Sequence, residues 1–326
     1  MVLVFGGAGY VGSHVAKLLR KQGVEHAVVD NLENGHRQAV SDSRFIQADM
    51  RDPASLQSAL KDGADAVMIF SGYISVGESY RNPRKYYENN IIGCLNLLHA
   101  AIQAGVTKVI FSSTAAVYGE PSVLPIPEEH LKLPTNPYGE TKLAIERALE
   151  WNAKALGLRS VSLRYFNAAG ADAEGELGED HDPEEHLIPI AIDATLGRRP
   201  PMTIFGDDYP TDDGTCLRDY VHVDDLAQAH LLALNHVQNT EGASAFNLGS
   251  GTGFSVRQVV SVVSEVAQKQ VPYSVGERRS GDPAKLVASN ELAKRTLGWA
   301  PQYNDLKTIV QHAHAWRIAH PTGYSS

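Results

Sequence analysis

Over the first 165 residues, short aliphatic and β-branched runs alternate with segments of helical period, the pattern of a parallel sheet with helices on both faces. Six strands are predicted, at Val2–Phe5, His26–Asp30, Arg44–Ala48, Ala66–Phe70, Val106–Ser112 and Arg159–Tyr165. Two intervening helices carry strong signals. Asn82-Pro83 supplies a cap and a first-turn proline, Ile91, Leu95, Leu98 and Ile102 recur at spacings of 4, 3 and 4, and Gly105 gives the stop. The other helix begins at Asn136-Pro137 and sets Tyr138, Lys142, Ile145 and Leu149 on one face.

Beyond Phe166 the pattern loosens. Ala168–His186 is acidic and glycine-rich and reads as a long surface loop near a functional site. Shorter units follow: helices near Leu187–Leu196, Val223–His236 and Ser255–Gln268, strands Met202–Phe205 and Ala245–Leu248, then helices near Asn290–Leu297 and Asp305–Ala319. The expected fold is α/β, a doubly wound, Rossmann-like parallel sheet over residues 1–166. Residues 167–326 form a smaller C-terminal substrate-binding lobe, some segments of which return to the first unit.

Charge and composition exclude several classes. Lys+Arg 29 against Asp+Glu 38 leaves −9 with no basic run, so a nucleic-acid partner is not expected. No apolar stretch approaches the ~20 residues of a membrane helix. Cys94 and Cys216 lie far apart in no metal-ligand spacing, and the opening Val2-Leu3-Val4-Phe5 lacks a secretion-signal pattern; a cytoplasmic location is expected. His181 within the acidic loop offers ligand chemistry, but scattered loop carboxylates are ordinarily solvated, and no metal is expected.

The first strand runs directly into Gly6-Gly7-Ala8-Gly9-Tyr10-Val11-Gly12-Ser13, in which Gly6, Gly9 and Gly12 open a helix whose amides can seat a pyrophosphate. Asp30, 18 residues past Gly12 at the end of the second strand, is placed to accept both adenine-ribose hydroxyls and to repel a 2′-phosphate. The cofactor is therefore read as NAD. Tyr138 and Lys142 stand one helical turn apart, and Ser112-Ser113-Thr114 closes the fifth strand, so all of these point into one crevice beyond the carboxyl ends of the strands. A phenol with a reference pKa near 10 needs roughly 4 kcal/mol of differential stabilisation to become a base near pH 7; a neighbouring ammonium and a positive nicotinamide ring supply that sign of field.

At this point the chain resembles, over essentially its whole length, the extended short-chain dehydrogenases/reductases and within them the UDP-glucose (UDP-galactose) 4-epimerases. The resemblance is carried by Asp30-Asn31-Leu32, Tyr86-Tyr87-Glu88-Asn89-Asn90, Phe111-Ser112-Ser113 through Val117-Tyr118-Gly119, and Pro137-Tyr138-Gly139 through Lys142. It continues through Leu163-Arg164-Tyr165-Phe166-Asn167, Ile204-Phe205-Gly206 through Thr211, and Arg218-Asp219-Tyr220-Val221-His222-Val223.

The resemblance implies Tyr138 as base, Lys142 as its partner and Thr114 as the hydroxyl that holds sugar O4, threonine standing where serine is usual. It implies cofactor contacts at Tyr10 and Val11, the segment Asp30, Asn31, Leu32, Glu33, Asn34 and Gly35, then Asp49, Met50, Phe70, Ser71, Gly72, Asn90, Ser112 and Phe166. Ile74 replaces a common lysine and removes one cofactor hydrogen bond. For the UDP-sugar it implies Asn167, His186, Leu187, Thr203, Ile204, Phe205, Arg218, Arg279 and Asp282, with Leu286 where pocket size is set. It also implies a homodimer in which the helix of Ile91–Ile102 pairs with the one starting at Tyr138. The Ala115-Ala116 pair after Thr114 cannot transfer protons, which disfavours dehydration. The alternatives are epimerases of UDP-xylose, UDP-glucuronate or UDP-N-acetylhexosamines and, more remotely, a non-catalytic NAD sensor.

Overall fold

A computed structural model describes residues 1–279 and 282–324. The N-terminal alternation runs β1 (Val2–Phe5), α1 (Tyr10–Lys21), β2 (His26–Asp30), β3 (Arg44–Gln47), α2 (Pro53–Leu60), β4 (Ala66–Ile69), α3 (Val76–Arg81), α4 (Pro83–Tyr86), α5 (Cys94–Gln103), β5 (Lys108–Thr114), α6 (Pro137–Leu156) and β6 (Arg159–Tyr165). The second half adds β7 (Asn167–Ala169), α7 (Leu187–Leu196), β8 (Met202–Phe205), β9 (Leu217–Arg218), β10 (Tyr220–His222), α8 (Val223–Asn239), β11 (Ala243–Leu248), β12 (Phe254–Ser255), α9 (Val256–Val266), β13 (Tyr273–Gly276), β14 (Lys285–Leu286), α10 (Glu291–Leu297) and α11 (Leu306–Ala319).

Seven strands pair in parallel in the order β11-β6-β5-β4-β1-β2-β3. Strand order reverses between β1 and β4, and ligands of such sheets bind in the crevice at that switch point. The sequence pattern predicts six strands here; the seventh, β11, comes from the C-terminal half and pairs along β6 from Ala243 opposite Ser160 to Leu248 opposite Tyr165. One core, including Val4, Leu19, Met68, Leu163, Leu226 and Phe246, fills the face beneath α1 and α8. The other, including Leu3, Leu56, Ile69, Leu97, Phe111 and Leu149, fills the face beneath α2, α5 and α6. A separate core of Ile188, Ile192, Ile204, Val259, Val263, Ile309 and Val310 joins α7, α9 and α11.

Two sequence expectations are corrected. The helix begun at Asn82 is not of one type: Tyr87–Gly93 is π-helical. The wider turn shifts the register, so Cys94, Leu97, Leu98 and Ala101 face the core while Ile92 and Leu95 stand 52% and 42% exposed. The acidic segment is a loop with exposed stretches, as expected, but it is not solvated throughout. It begins as a strand, and Asp172, Leu177 and Glu179 beyond it are buried. The cause is electrostatic: the buried Lys17 ammonium on α1 lies 2.6, 2.9 and 2.8 Å from carboxylates of Asp172, Glu174 and Glu176, and Lys21 adds a 2.6 Å pair to Glu174. On α11, His312 meets the buried His222 at 2.9 Å.

Candidate functional site

The glycine turn is fixed by contact as much as by conformation. Gly6 has φ +73°, and a Cβ there would lie 2.4 Å from the Ser71 amide nitrogen; a Cβ on Gly12 would lie 2.4 Å from the Gly6 carbonyl oxygen. Both are backbone atoms that cannot swing away, so the loop and the end of β4 must approach without side chains. Gly9 precedes α1 in extended conformation, and Tyr10 and Val11 open its first turn, leaving the helix N-terminus toward the crevice. These features could hold a pyrophosphate.

Asp30, 7% exposed, accepts from the amides of Ala8 at 3.0 Å and Leu32 at 2.8 Å. Burial raises its pKa and those amide bonds oppose the rise. The carboxylate thus ties the glycine turn to β2. Leu32 takes φ +61°, and a Cβ on Gly35 would touch Ala8 and Asp30 Oδ1 at 3.0 Å. Asn31 donates to Asp49 at 3.0 Å and to Glu33 at 3.3 Å, and Arg51 clamps Asp49, holding its carboxyl at about 2. Asp30 to Gly35, Asn34 among them, and Asp49 therefore make one rim. Met50 is buried beneath Gly93 and reaches that rim only through its backbone neighbours.

Across the switch point, Phe70, Ser71 and Gly72 follow β4. Asn90, 4% exposed, accepts from the Tyr73 amide at 2.8 Å and donates to the Tyr73 carbonyl at 3.0 Å and to Thr141 Oγ1 at 3.2 Å, locking the π-helical segment to α6. Ile74 is 43% exposed and offers no donor.

Tyr138 and Lys142 lie on the first turns of α6, capped by the Asn136 side chain at the Gly139 amide. A Cβ on Gly139 would fall 2.5 Å from the Ala116 carbonyl oxygen. That glycine lets α6 press against the turn following β5 and brings Tyr138 to Thr114. Thr114 is 8% exposed and accepts from the Ala116 amide at 3.2 Å. Lys142, 4% exposed, donates to the Ser112 carbonyl at 2.8 Å, and its Nζ stands 6.0 Å from the Tyr138 ring centre. Burial lowers the Lys142 pKa to about 8. Burial raises that of Tyr138, opposed only by the hydrogen bond with Thr114. The fold by itself thus holds the phenol above its ordinary value.

On the other wall, Asn167 donates to the Asp219 carbonyl at 2.9 Å. Arg218 donates to the Pro283 carbonyl at 2.8 Å and lies 3.4 Å from Asp282, while Leu286 pairs beside Arg218 and packs with Phe166 against Val117, Tyr118, Ile126 and Leu143. The Arg279 guanidinium covers the Phe205 ring at 4.1 Å, a surface on which a planar base can lie. Thr203 is half-buried, but the Ile204 side chain is 1% exposed in the α7–α9 core, so only its backbone is available. His186 and Leu187 open α7, yet His186 meets Glu179 and Glu184 of the acidic segment rather than Arg218. The residues named from sequence fall into two groups, one on the glycine turn, β2, β4 and the β5–α6 junction and the other along β8, β9 and the start of α7, where His186 turns to the acidic segment.

Two contributors escaped the sequence reading. Tyr165 hydroxyl hydrogen-bonds Ser112 Oγ beside the Lys142 anchor. Asp219, fully buried, accepts from the amides of Ser250, Gly251 and Ala288 and from Ser250 Oγ, fastening the end of β11 to the wall that carries Arg218. Both sit inside motifs quoted for the resemblance, but neither has a spacing that distinguishes it from a core residue.

Residues 2–249, from β1 to just past β11, match the NAD dependent epimerase/dehydratase family, and the chain belongs to that family. The UDP-glucose 4-epimerase of Halalkalibacterium halodurans is 51% identical to it, covering 100% of this chain and 98% of that protein. UDP-glucose 4-epimerase from Brucella ovis, solved in complex with NAD, superposes with a TM-score of 0.93 at 49% identity, covering 96% of this chain and 97% of that one. The Bifidobacterium longum enzyme, solved with NAD+ and UDP, gives 0.94 at 36% identity over 99% of both chains.

Proposed function

We propose that this chain is an NAD-dependent UDP-sugar 4-epimerase that interconverts UDP-galactose and UDP-glucose. The observation that carries the reading is the junction of β5 and α6, where Tyr138, Thr114 and the Ser112-anchored Lys142 meet at the carboxyl edge of the sheet, beside the glycine turn. Bound NAD supplies a hydride acceptor that returns the hydride, so that C4 passes through a ketone and is reduced on its opposite face with no net redox change. Thr114 orients O4, and Tyr138 takes its proton and later gives it back. Lys142 holds a positive charge within the crevice while fixed to the Ser112 carbonyl, so its field favours phenolate at Tyr138 without joining it directly. Arg218 and Arg279 receive the diphosphate and uracil end, and Asn167 and Leu187 flank the sugar.

NMR of UDP-galactose incubated with the purified protein and no added reductant tests the reading. UDP-glucose should form at equilibrium ratio without NADH accumulation; steady NADH release would mark a dehydrogenase instead. Leu286 is a side chain of intermediate bulk, so a panel including UDP-xylose, UDP-glucuronate and N-acetylated UDP-sugars defines the range. We also propose a homodimer across α5 and α6. Ile92, Leu95 and Trp151 are exposed on these adjoining segments, as a buried two-helix interface requires. No helix among the described residues is long and apolar enough to cross a membrane.

A further inference from the structure

The acidic segment holds two clusters of carboxylates, and they differ in what neutralises them. Asp172, Glu174 and Glu176 close on the Lys17 ammonium. Glu179 and Glu184 have side chains only 6% and 8% exposed, and among the described residues their ion-pair partners are two histidines, His181 and His186, with no lysine or arginine. One ligand atom from each of the four residues lies within 4.8 Å of every other.

Hydrogen bonding among those atoms is incomplete. Glu179 Oε1 stands 2.7 Å from His186 Nδ1 and 3.3 Å from His181 Nδ1, yet it is buried with no hydrogen bond. His181 Nδ1 and Glu184 Oε2, 3.8 Å apart, are likewise buried and unbonded. Glu184 uses its other oxygen, accepting from the His186 amide at 2.9 Å and lying 3.2 Å from His186 Nδ1. Only that His186–Glu184 contact is a hydrogen bond, and three buried polar atoms of the cluster are left facing a common centre. Tetrahedral ligands at about 2.0–2.1 Å from a zinc ion stand roughly 3.3 Å apart, and these separations scatter about that value.

We infer that Glu179, His181, Glu184 and His186 form a zinc site that pins the acidic segment to the start of α7. Two imidazoles select a first-row metal over calcium or magnesium, which take oxygen ligands. Two carboxylates with two neutral imidazoles balance the charge of Zn2+, and a full set of four protein ligands makes the site structural rather than catalytic. The His181 ring meets the Tyr10 ring edge-on at 6.2 Å, so the ion would brace the first turn of α1 as well. Ligation through Nδ1 leaves His186 Nε2 free, and the inference stands whichever sugar is turned over.

The test uses full-length, untagged protein. After exposure to excess zinc and desalting, metal analysis should find about one zinc per chain. Chelator-stripped protein should unfold at lower temperature, recover with stoichiometric zinc, and bind Co2+ with the visible absorption of a tetrahedral site. His181→Ala and Glu184→Gln should each weaken zinc binding at least about 100-fold, more than loss of an outer-shell partner costs. His314→Ala, on α11 away from the cluster, should retain it. Zinc below about a tenth per chain in wild type, or full stoichiometry in folded His181→Ala, overturns the inference. If either variant fails to fold, the wild-type zinc content and Co2+ spectrum decide alone.

Discussion

At Tyr138 two demands oppose each other. Burial keeps the phenol protonated, while the proton transfer proposed for it requires it to ionise when substrate is bound. Replacing it by phenylalanine should cut turnover by about 10²–10⁴-fold, the usual worth of a positioned acid–base group, with little loss of UDP binding measured by calorimetry. Unchanged turnover would remove Tyr138 from the role of base. Lys142 bears a different signature. Its pKa falls from 10.5 in the unfolded chain to about 8 in the fold, so the unfolded state binds more protons between those values and wild type gains stability as pH rises through them. Unfolding of wild type and Lys142→Met, compared without added NAD, should show the difference swing toward wild type by about 3 kcal/mol between pH 8 and 10.5. A difference that stays flat with pH would mean that the ammonium is not desolvated.

Single elements carry the positioning. Because the Ala116 carbonyl would meet a Cβ on Gly139 at 2.5 Å, Gly139→Ala should push the α6 start away from Thr114. A displacement near 1 Å is enough to lower kcat about 10²-fold with a much smaller change in KM; equal kcat would show that α6 yields without moving its tyrosine. This level also separates what was legible in the sequence from what was not. The glycine turn, Asp30 and the Tyr138–Lys142 face could be read because each depends on local spacing, and all three lie at the carboxyl edge of the main sheet. The π-helical turn at Tyr87–Gly93 could not, since a single extra residue in the hydrogen-bonding loop leaves the residue types of a plain helix. Nor could the burial of Glu179 and Glu184, because carboxylates are read as solvated until a distant partner is known to cover them. Membership of β11 in the main sheet was equally hidden: alternation announces a strand but not its neighbour.

For the molecule as a whole, the homodimer proposed across α5 and α6 rests on the exposed Ile92, Leu95 and Trp151. Leu95→Asp should weaken self-association by roughly 10–100-fold in sedimentation equilibrium while leaving the crevice intact, since the side chain points away from it. A wild-type chain that sediments as a monomer would dismiss the two-helix interface. A second global feature is the ion pair of Arg164 and Glu146, both about 3% exposed and 2.6 Å apart, which also gathers Ser113 and Tyr118 behind the reactive edge. Glu146→Gln should cost about 3–5 kcal/mol, because the buried guanidinium loses its counter-charge; denaturant titration reads this directly.

The place of β11 has a consequence for how the chain comes into being. Its backbone completes the edge of β6, and Asp219 locks its exit, so a ribosome must release residues through Leu248 before the nucleotide crevice has its outer margin. Until then β6 offers bare amides and carbonyls to any passing strand. A fragment ending at Phe166 should consequently clump when expressed alone, and supplying residues 167–326 in trans should rescue its solubility.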